Sequence, residues 1–163
     1  MFAELLTISD YPTLSPKQTR AQALQQLTAE AIEQAPVVEN GVFWGLTDRN
    51  AIEHGLETDG DLLREMPPNQ LLPIHAHAST HLLEVVRLIQ EQSLNVLPIL
   101  DEDDQYHGVL QRRELFFWVG SLASFRQPGA IIVLEMPWNQ YSPAKITAIA
   151  ESNQAKVLTL LVH

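Results

Sequence analysis

Two stretches of the chain arrange their apolar and polar positions in the same order. The first opens on a turn-rich segment, Tyr11-Pro12-Thr13-Leu14, followed by Ser15-Pro16-Lys17-Gln18. Thr19 and Gln22 make a T-x-x-Q capping box, which starts a helix. Leu24, Leu27, Ala31 and Ile32 fall at helical spacing and give that helix one apolar face. Pro36-Val37-Val38 reads as a short buried strand, Asn40-Gly41 as a hairpin turn, and Val42-Phe43-Trp44-Gly45-Leu46 as the returning strand. Asp48, or Thr47 before it, caps a second helix through about Glu53.

The second stretch begins at Leu72-Pro73-Ile74. Ser79 or Thr80 caps a helix whose apolar positions are Leu82, Leu83, Val85, Val86 and Ile89. Val96-Leu97-Pro98-Ile99-Leu100 is a strand, Asp101–Asp104 a polar turn, Tyr106–Leu110 the returning strand, and Glu114–Val119 the start of another helix. Pro36 and Pro98 lie 62 residues apart, Gly45 and Gly108 63, and Thr19 and Thr80 61. A tandem repeat of order strand–helix–strand–strand–helix explains all three offsets. Between the copies, residues 55–68 are acidic and carry Gly60 and Pro67-Pro68, a linker or short helix. After Gln127-Pro128-Gly129 the pattern changes: strand 130–134, loop 137–143, helix 144–152 with Ile146, Ile149 and Ala150 inward, and strand 156–162. The expected domains are residues 1–58, 59–127 and 128–163.

Composition narrows the class. The chain has 163 residues, 45% of them apolar, which supports a packed core and argues against disorder. Twenty acidic residues against ten basic ones give a net charge of −10, which repels phosphate backbones and anionic lipid. No nucleic-acid or membrane partner is expected. No apolar run approaches the roughly 18–20 residues of a membrane span. Met1-Phe2-Ala3-Glu4 lacks the basic residues of a secretory signal, so a cytoplasmic location is expected. The absence of cysteine removes disulfide, thiolate and thiolate-zinc chemistry.

The repeat resembles the cystathionine-β-synthase (CBS) domain pair, or Bateman module. The residues that carry this are Pro36-Val37-Val38 with Gly45-Leu46-Thr47-Asp48-Arg49-Asn50, and Pro98-Ile99-Leu100 with Gly108-Val109-Leu110-Gln111-Arg112-Arg113-Glu114. The resemblance covers about Leu5 to Ser121. It implies an α+β fold, two β-α-β-β-α repeats around a pseudo-two-fold axis. The tail from Pro128 to His163 looks like the opening half of an ACT domain, a partial βαβ unit. The resemblance also implies a non-catalytic regulatory module, a homodimer, an unidentified protein target, and clefts between the repeats that take an adenosine-type effector such as AMP, ATP or S-adenosylmethionine. A resident cofactor is not expected. The alternative is a ligand-free dimerisation module with degenerate sites.

In the family, apolar strand positions sandwich the base, here Val37, Pro98 and Ile99. A carboxylate after the turn accepts from the ribose hydroxyls, and a hydroxyl with a nearby Arg at a helix N-terminus holds phosphate. In the first repeat, alignment on Gly45 puts Asp48 at the hydroxyl position and Ala51 at the carboxylate. Sliding by one puts Thr47 and Asn50 there instead. In the second repeat Gln111 replaces the hydroxyl, Glu114 supplies the carboxylate, and Arg112 and Arg113 stand where phosphate contacts arise. The second turn is therefore the better candidate.

Other clusters are weaker. His75 and His77 share a strand face, but no acidic ligand is near them in sequence, so they read as surface histidines and no metal site is expected. Asp101–Asp104 lacks the glycine and terminal glutamate of a calcium loop and reads as a hairpin tip. Phe116, Phe117 and Trp118 cannot all face one core, because successive helical residues are about 100° apart. Part of that surface is expected to meet another chain or the tail. No nucleophile–base arrangement, P-loop or dinucleotide fingerprint is present, so no catalysis is expected.

Overall fold

The computed structural model describes residues 1–54, 62–122, 126 and 128–162. Two compact units divide the chain, Met1–Phe116 and Phe117–His163.

In the first unit, Thr19 and Gln22 cap helix α1 (Arg20–Ala29) reciprocally: the Thr19 side chain accepts from Gln22 N, and Gln22 Oε1 accepts from Thr19 N at 3.0 Å. Strands β1 (Gln34–Glu39) and β2 (Val42–Asp48) form an antiparallel hairpin. Its turn residues Asn40 and Gly41 have φ of 52° and 81°, the left-handed pair that a two-residue hairpin requires. Helix α2 (Arg49–Glu53) follows. The second repeat places β3 (Ala76–His77), α3 (Leu82–Glu91), β4 (Val96–Leu100), β5 (Tyr106–Gln111) and α4 (Arg112–Ser121) in the same order. Strand β4 lies between β3, which is parallel to it, and β5, which is antiparallel. The first repeat reduces the strand equivalent to β3 to one residue. Leu14 bridges Val37 in parallel, donating to Pro36 O and accepting from Val38 N at 2.9 and 2.8 Å.

Each sheet is completed by the segment that precedes the other repeat. Ile8 exchanges two backbone hydrogen bonds with Val109 on β5, at 2.8 and 2.9 Å. Leu72 does the same with Leu46 on β2, at 2.7 and 2.8 Å. This reciprocal exchange gives the pair its pseudo-two-fold symmetry, and it explains the glycines inside β2 and β5. A Cβ on Gly108 would collide with the Ile8 carbonyl, and one on Gly45 with the Leu71 side chain. Leu72, read above as the start of the second repeat, thus belongs to the first repeat's sheet; the second repeat's own strand starts at Ala76.

Leu14, Ala23, Leu27, Ala35, Val37, Ile52, Leu63 and Met66 form the first core. In the second repeat Leu82, Val85, Ile89, Leu97, Ile99 and Leu110 are buried. Two helix details differ from expectation. Helix α1 ends before Ala31, whose φ is 53°, and its inward face is Arg20, Ala23 and Leu27. Helix α3 is capped by His81, whose side chain accepts from Leu83 N, because the Thr80 hydroxyl instead accepts from His77 N at 3.1 Å.

In the second unit, the described tail holds helix α5 (Pro143–Ser152), capped by Ser142. The expected strands 130–134 and 156–162 join no ladder among the described residues, and α5 buries no residue; Ile149, expected inward, is exposed. The reason is that a parallel strand needs neighbours on its edges and cover on its faces, and one short helix supplies neither edge. Among the described residues the tail shows one helix, and its two flanks join no ladder.

Candidate ligand site

The two post-strand turns are placed by strand register. Gln34 pairs with Asp48 and Val96 with Gln111, so Asp48 and Gln111 are equivalent, and Ala51 is the counterpart of Glu114. This decides between the two alignments of the first turn. Thr47 lies inside β2 opposite Ala35, with its side chain buried, and so is not the turn residue. Asn50 is exposed on the first turn of α2.

The first turn is occupied by its own side chains. Asp48 Oδ1 accepts from Ala51 N at 2.8 Å, which caps α2 and sets a carboxylate where a phosphate would approach. Arg49 is committed to Glu33, Nε to Oε2 at 3.2 Å. The second turn differs. Gln111 and Glu114 are half-buried, and Arg112 and Arg113 are exposed. Arg112 N donates to Asn95 O at 2.9 Å, which anchors the start of α4 to the start of β4. Arg113 Nε donates to Glu114 Oε1 at 3.1 Å, leaving the second carboxylate oxygen of Glu114 outside that bond. Val37, Pro98 and Ile99 are all buried in the strands, so at these positions a ligand would meet backbone rather than side chain.

The repeats are joined at both ends of their hairpins. Asn95 N donates to Gln34 Oε1 at 2.7 Å, and Tyr106 N donates to Gly41 O at 2.7 Å. Phe43 meets His75 edge-on with centroids 5.8 Å apart. Tyr106 and Tyr11 lie 63 and 64 residues from Phe43 and His75, at the equivalent places of the repeat. Tyr11 Oη donates to Gln34 O at 2.9 Å. The Tyr106 hydroxyl is buried without a hydrogen-bond partner, and burial, then Tyr11, push its pKa up from 10.0. Gln34, Asn95 and Tyr11 were not legible as site neighbours, because their roles arise only where the repeats meet. Among the described residues no three His, Cys, Asp or Glu side chains are set to hold a metal. His77 instead faces the hairpin tip, with Nε2 3.8 Å from Asp104 Oδ1.

Residues 73–121 match the CBS domain family. No curated protein matches the chain. Solved structures share the fold. CBSX2 from Arabidopsis thaliana, a CBS-pair protein, is 18% identical with a TM-score of 0.64, over 78% of this chain and 98% of its own; CBSX2 is also solved in complex with AMP. A CBS domain pair/ACT domain protein from Thermotoga maritima is 18% identical with a TM-score of 0.61, over 73% and 96%. The CBS domain pair of MJ0100, in complex with 5′-methylthioadenosine and S-adenosyl-L-methionine, is 15% identical with a TM-score of 0.58, over 74% and 96%. No helix among the described residues is long and apolar enough to cross a membrane. With its tandem β-α-β-β-α repeats, exchanged edge segments and turn register, the chain carries the fold of a CBS pair, and its second repeat matches the CBS domain family.

Proposed function

We propose that this chain is a non-catalytic regulatory module, located in the cytoplasm, that binds one adenosine-type effector at the turn of its second repeat. The observation that carries this reading is the asymmetry of the turns. Asp48 fills the first with a capping carboxylate, whereas the second combines Gln111 at the helix start, the Glu114 carboxylate, and the two exposed cations Arg112 and Arg113. Glu114 accepts from the ribose hydroxyls, Arg112 or Arg113 contacts phosphate or the charged end of the ligand, and the backbone of Pro98 and Ile99 borders the base. The AMP complex of CBSX2 and the adenosyl complexes of the MJ0100 pair support the ligand class. Val37 is buried in the first repeat's core and Asn50 is exposed on α2, so the reading rests on the second turn rather than on them. The effector acts by changing how the repeats, or the two chains of a homodimer, pack, and so biases a protein target; such couplings are typically about 1–3 kcal/mol. Exposed Phe116 and Phe117 support the dimer.

The test is thermal unfolding with AMP, ATP and S-adenosylmethionine in turn. A ligand at 100 times its Kd should add about 2.7 kcal/mol of stability. No shift with any of the three favours the second reading, a ligand-free dimerisation module. The Arg113–Glu114 ion pair, which already engages the ribose-reading carboxylate, is the observation on that side.

A further inference from the structure

Residues 128–162 carry apolar surface that their own unit does not bury. Helix α5 has no buried residue, and neither flank joins a ladder among the described residues. Ile131, Ile132 and Val133 are 95, 79 and 81% exposed. Both flanks are apolar at consecutive rather than alternate positions, the pattern of strands covered on both faces. Such a segment, with unpaired N–H and C=O groups, is a template for another strand.

Charge and area indicate which strand. The tail from residue 128 to 163 holds Glu135, Glu151, Lys145 and Lys156, which cancel, so the net charge of −10 lies wholly in residues 1–127. Two copies repel each other through that part and approach with least opposition through their tails. The exposed Val, Ile and Leu side chains of the tail offer roughly 600 Å² of apolar surface, at roughly 100 Å² for each fully exposed side chain. Trp138, also exposed, adds to this. A standard interface takes about 800 Å² per partner. Of the two flanks, 130–134 is the less covered: its large apolar residues are 53–95% exposed, whereas Val157, Leu158 and Leu160 are 38–42% exposed and only Leu161 there reaches 84%.

We infer that residues 130–134 pair with the same segment of a second copy, so that two tails close into one shared sheet. This deepens the dimer reading above by naming a segment that carries the contact. In a two-fold interface the same patch meets itself. Two identical strands facing edge to edge therefore run antiparallel, with Ile132, the middle residue, nearest its own copy.

The chain has no cysteine, so a single introduced one reports on this contact alone. Ile131→Cys, Ile132→Cys, Val133→Cys and Leu134→Cys, with Gln25→Cys on α1 as control, are oxidised in the full chain at micromolar concentration. The expected result is a covalent-dimer yield that peaks at one of the four tail positions and stays low in the control. A flat profile, or a yield no higher than the control, overturns the inference. Light scattering of the parent and of Val133→Lys separates the two claims. A dimeric parent with a monomeric variant supports both. A dimer in both proteins overturns the tail contact and leaves the dimer standing, and a monomeric parent overturns both.

Discussion

Replacing Arg20 by leucine should leave the fold about as stable as it is, although the guanidinium makes two hydrogen bonds. Arg20 is 6% exposed and holds the position on α1 that Leu82, 62 residues on, holds on α3. Its Nη1 donates to Ala51 O at 3.0 Å and its Nη2 to Gln70 Oε1 at 3.1 Å, while Nε is buried without a partner. No carboxylate among the described residues pairs with it. Two bonds from a charged donor return roughly 3–6 kcal/mol, at about 1.5–3 each. Against this stand several kcal/mol for burying the ion and about 1–3 for the orphaned N–H. The balance is close to zero. Leucine instead buries an apolar side chain worth about 1.5–3 kcal/mol. It strands the Ala51 carbonyl at about 1–3 kcal/mol, whereas half-buried Gln70 can turn to water. The net expectation is a change between about −1.5 and +2 kcal/mol. At roughly 2–4 °C per kcal/mol, that is a Tm within several degrees of the parent's. Alanine leaves a cavity without the apolar gain and should cost about 2–4 kcal/mol. Thermal and urea unfolding of the parent and both variants measure this. A loss above about 2 kcal/mol in Arg20→Leu, or an alanine variant no worse than the leucine one, would refute the reasoning.

Further outcomes follow from the same contacts. Gly108→Ala should cost at least about 2 kcal/mol and loosen the Ile8 segment, because the obstacle to its Cβ is backbone, whereas Gly120→Ala meets nothing within 4 Å and should gain up to about 1 kcal/mol of helix propensity; urea unfolding compares them. Tyr106 has its pKa raised in the folded chain, so unfolding releases its proton more easily once pH exceeds about 10, and stability should fall as pH rises from there; Tyr106→Phe should flatten that fall and, by removing a buried orphan hydroxyl, raise stability at neutral pH. Unchanged alkaline behaviour in Tyr106→Phe would exclude that tyrosine as the cause.

Local signals were the legible ones. The Thr19–Gln22 capping box and the Asn40-Gly41 hairpin depend on residues close in sequence, and the offsets of Pro36 from Pro98 and Gly45 from Gly108 match the strand pairing of the two copies. The exchange of Ile8 and Leu72 was not legible, because an edge residue carries no mark of which sheet it joins. Arg20 escaped notice because a charged residue at an inward helical position reads as a break in the apolar stripe. The register of the first turn stayed open in the sequence, since Thr47 and Asp48 are both good caps; the pairing of Gln34 with Asp48 resolves it. The tail reads as two strands because its flanks have β-forming composition, yet a ladder also needs a neighbour, and composition does not supply one. At the candidate site, Glu114, Arg112 and Arg113 were visible in the turn motif, while Gln34 and Asn95 meet only across the two repeats.

Calorimetric titration of AMP, ATP and S-adenosylmethionine into the parent, Glu114→Ala and Asp48→Ala tests the central claim most directly. The account predicts about one ligand per chain for the parent. It predicts a loss of about 10-fold or more in affinity for Glu114→Ala, since hydrogen bonds to a charged group are worth roughly 1.5–3 kcal/mol. Asp48→Ala should bind as the parent does, or slightly better, at a cost of about 1 kcal/mol of fold stability from the lost cap of α2. Binding that survives Glu114→Ala and disappears in Asp48→Ala would contradict the account and move the site to the first turn.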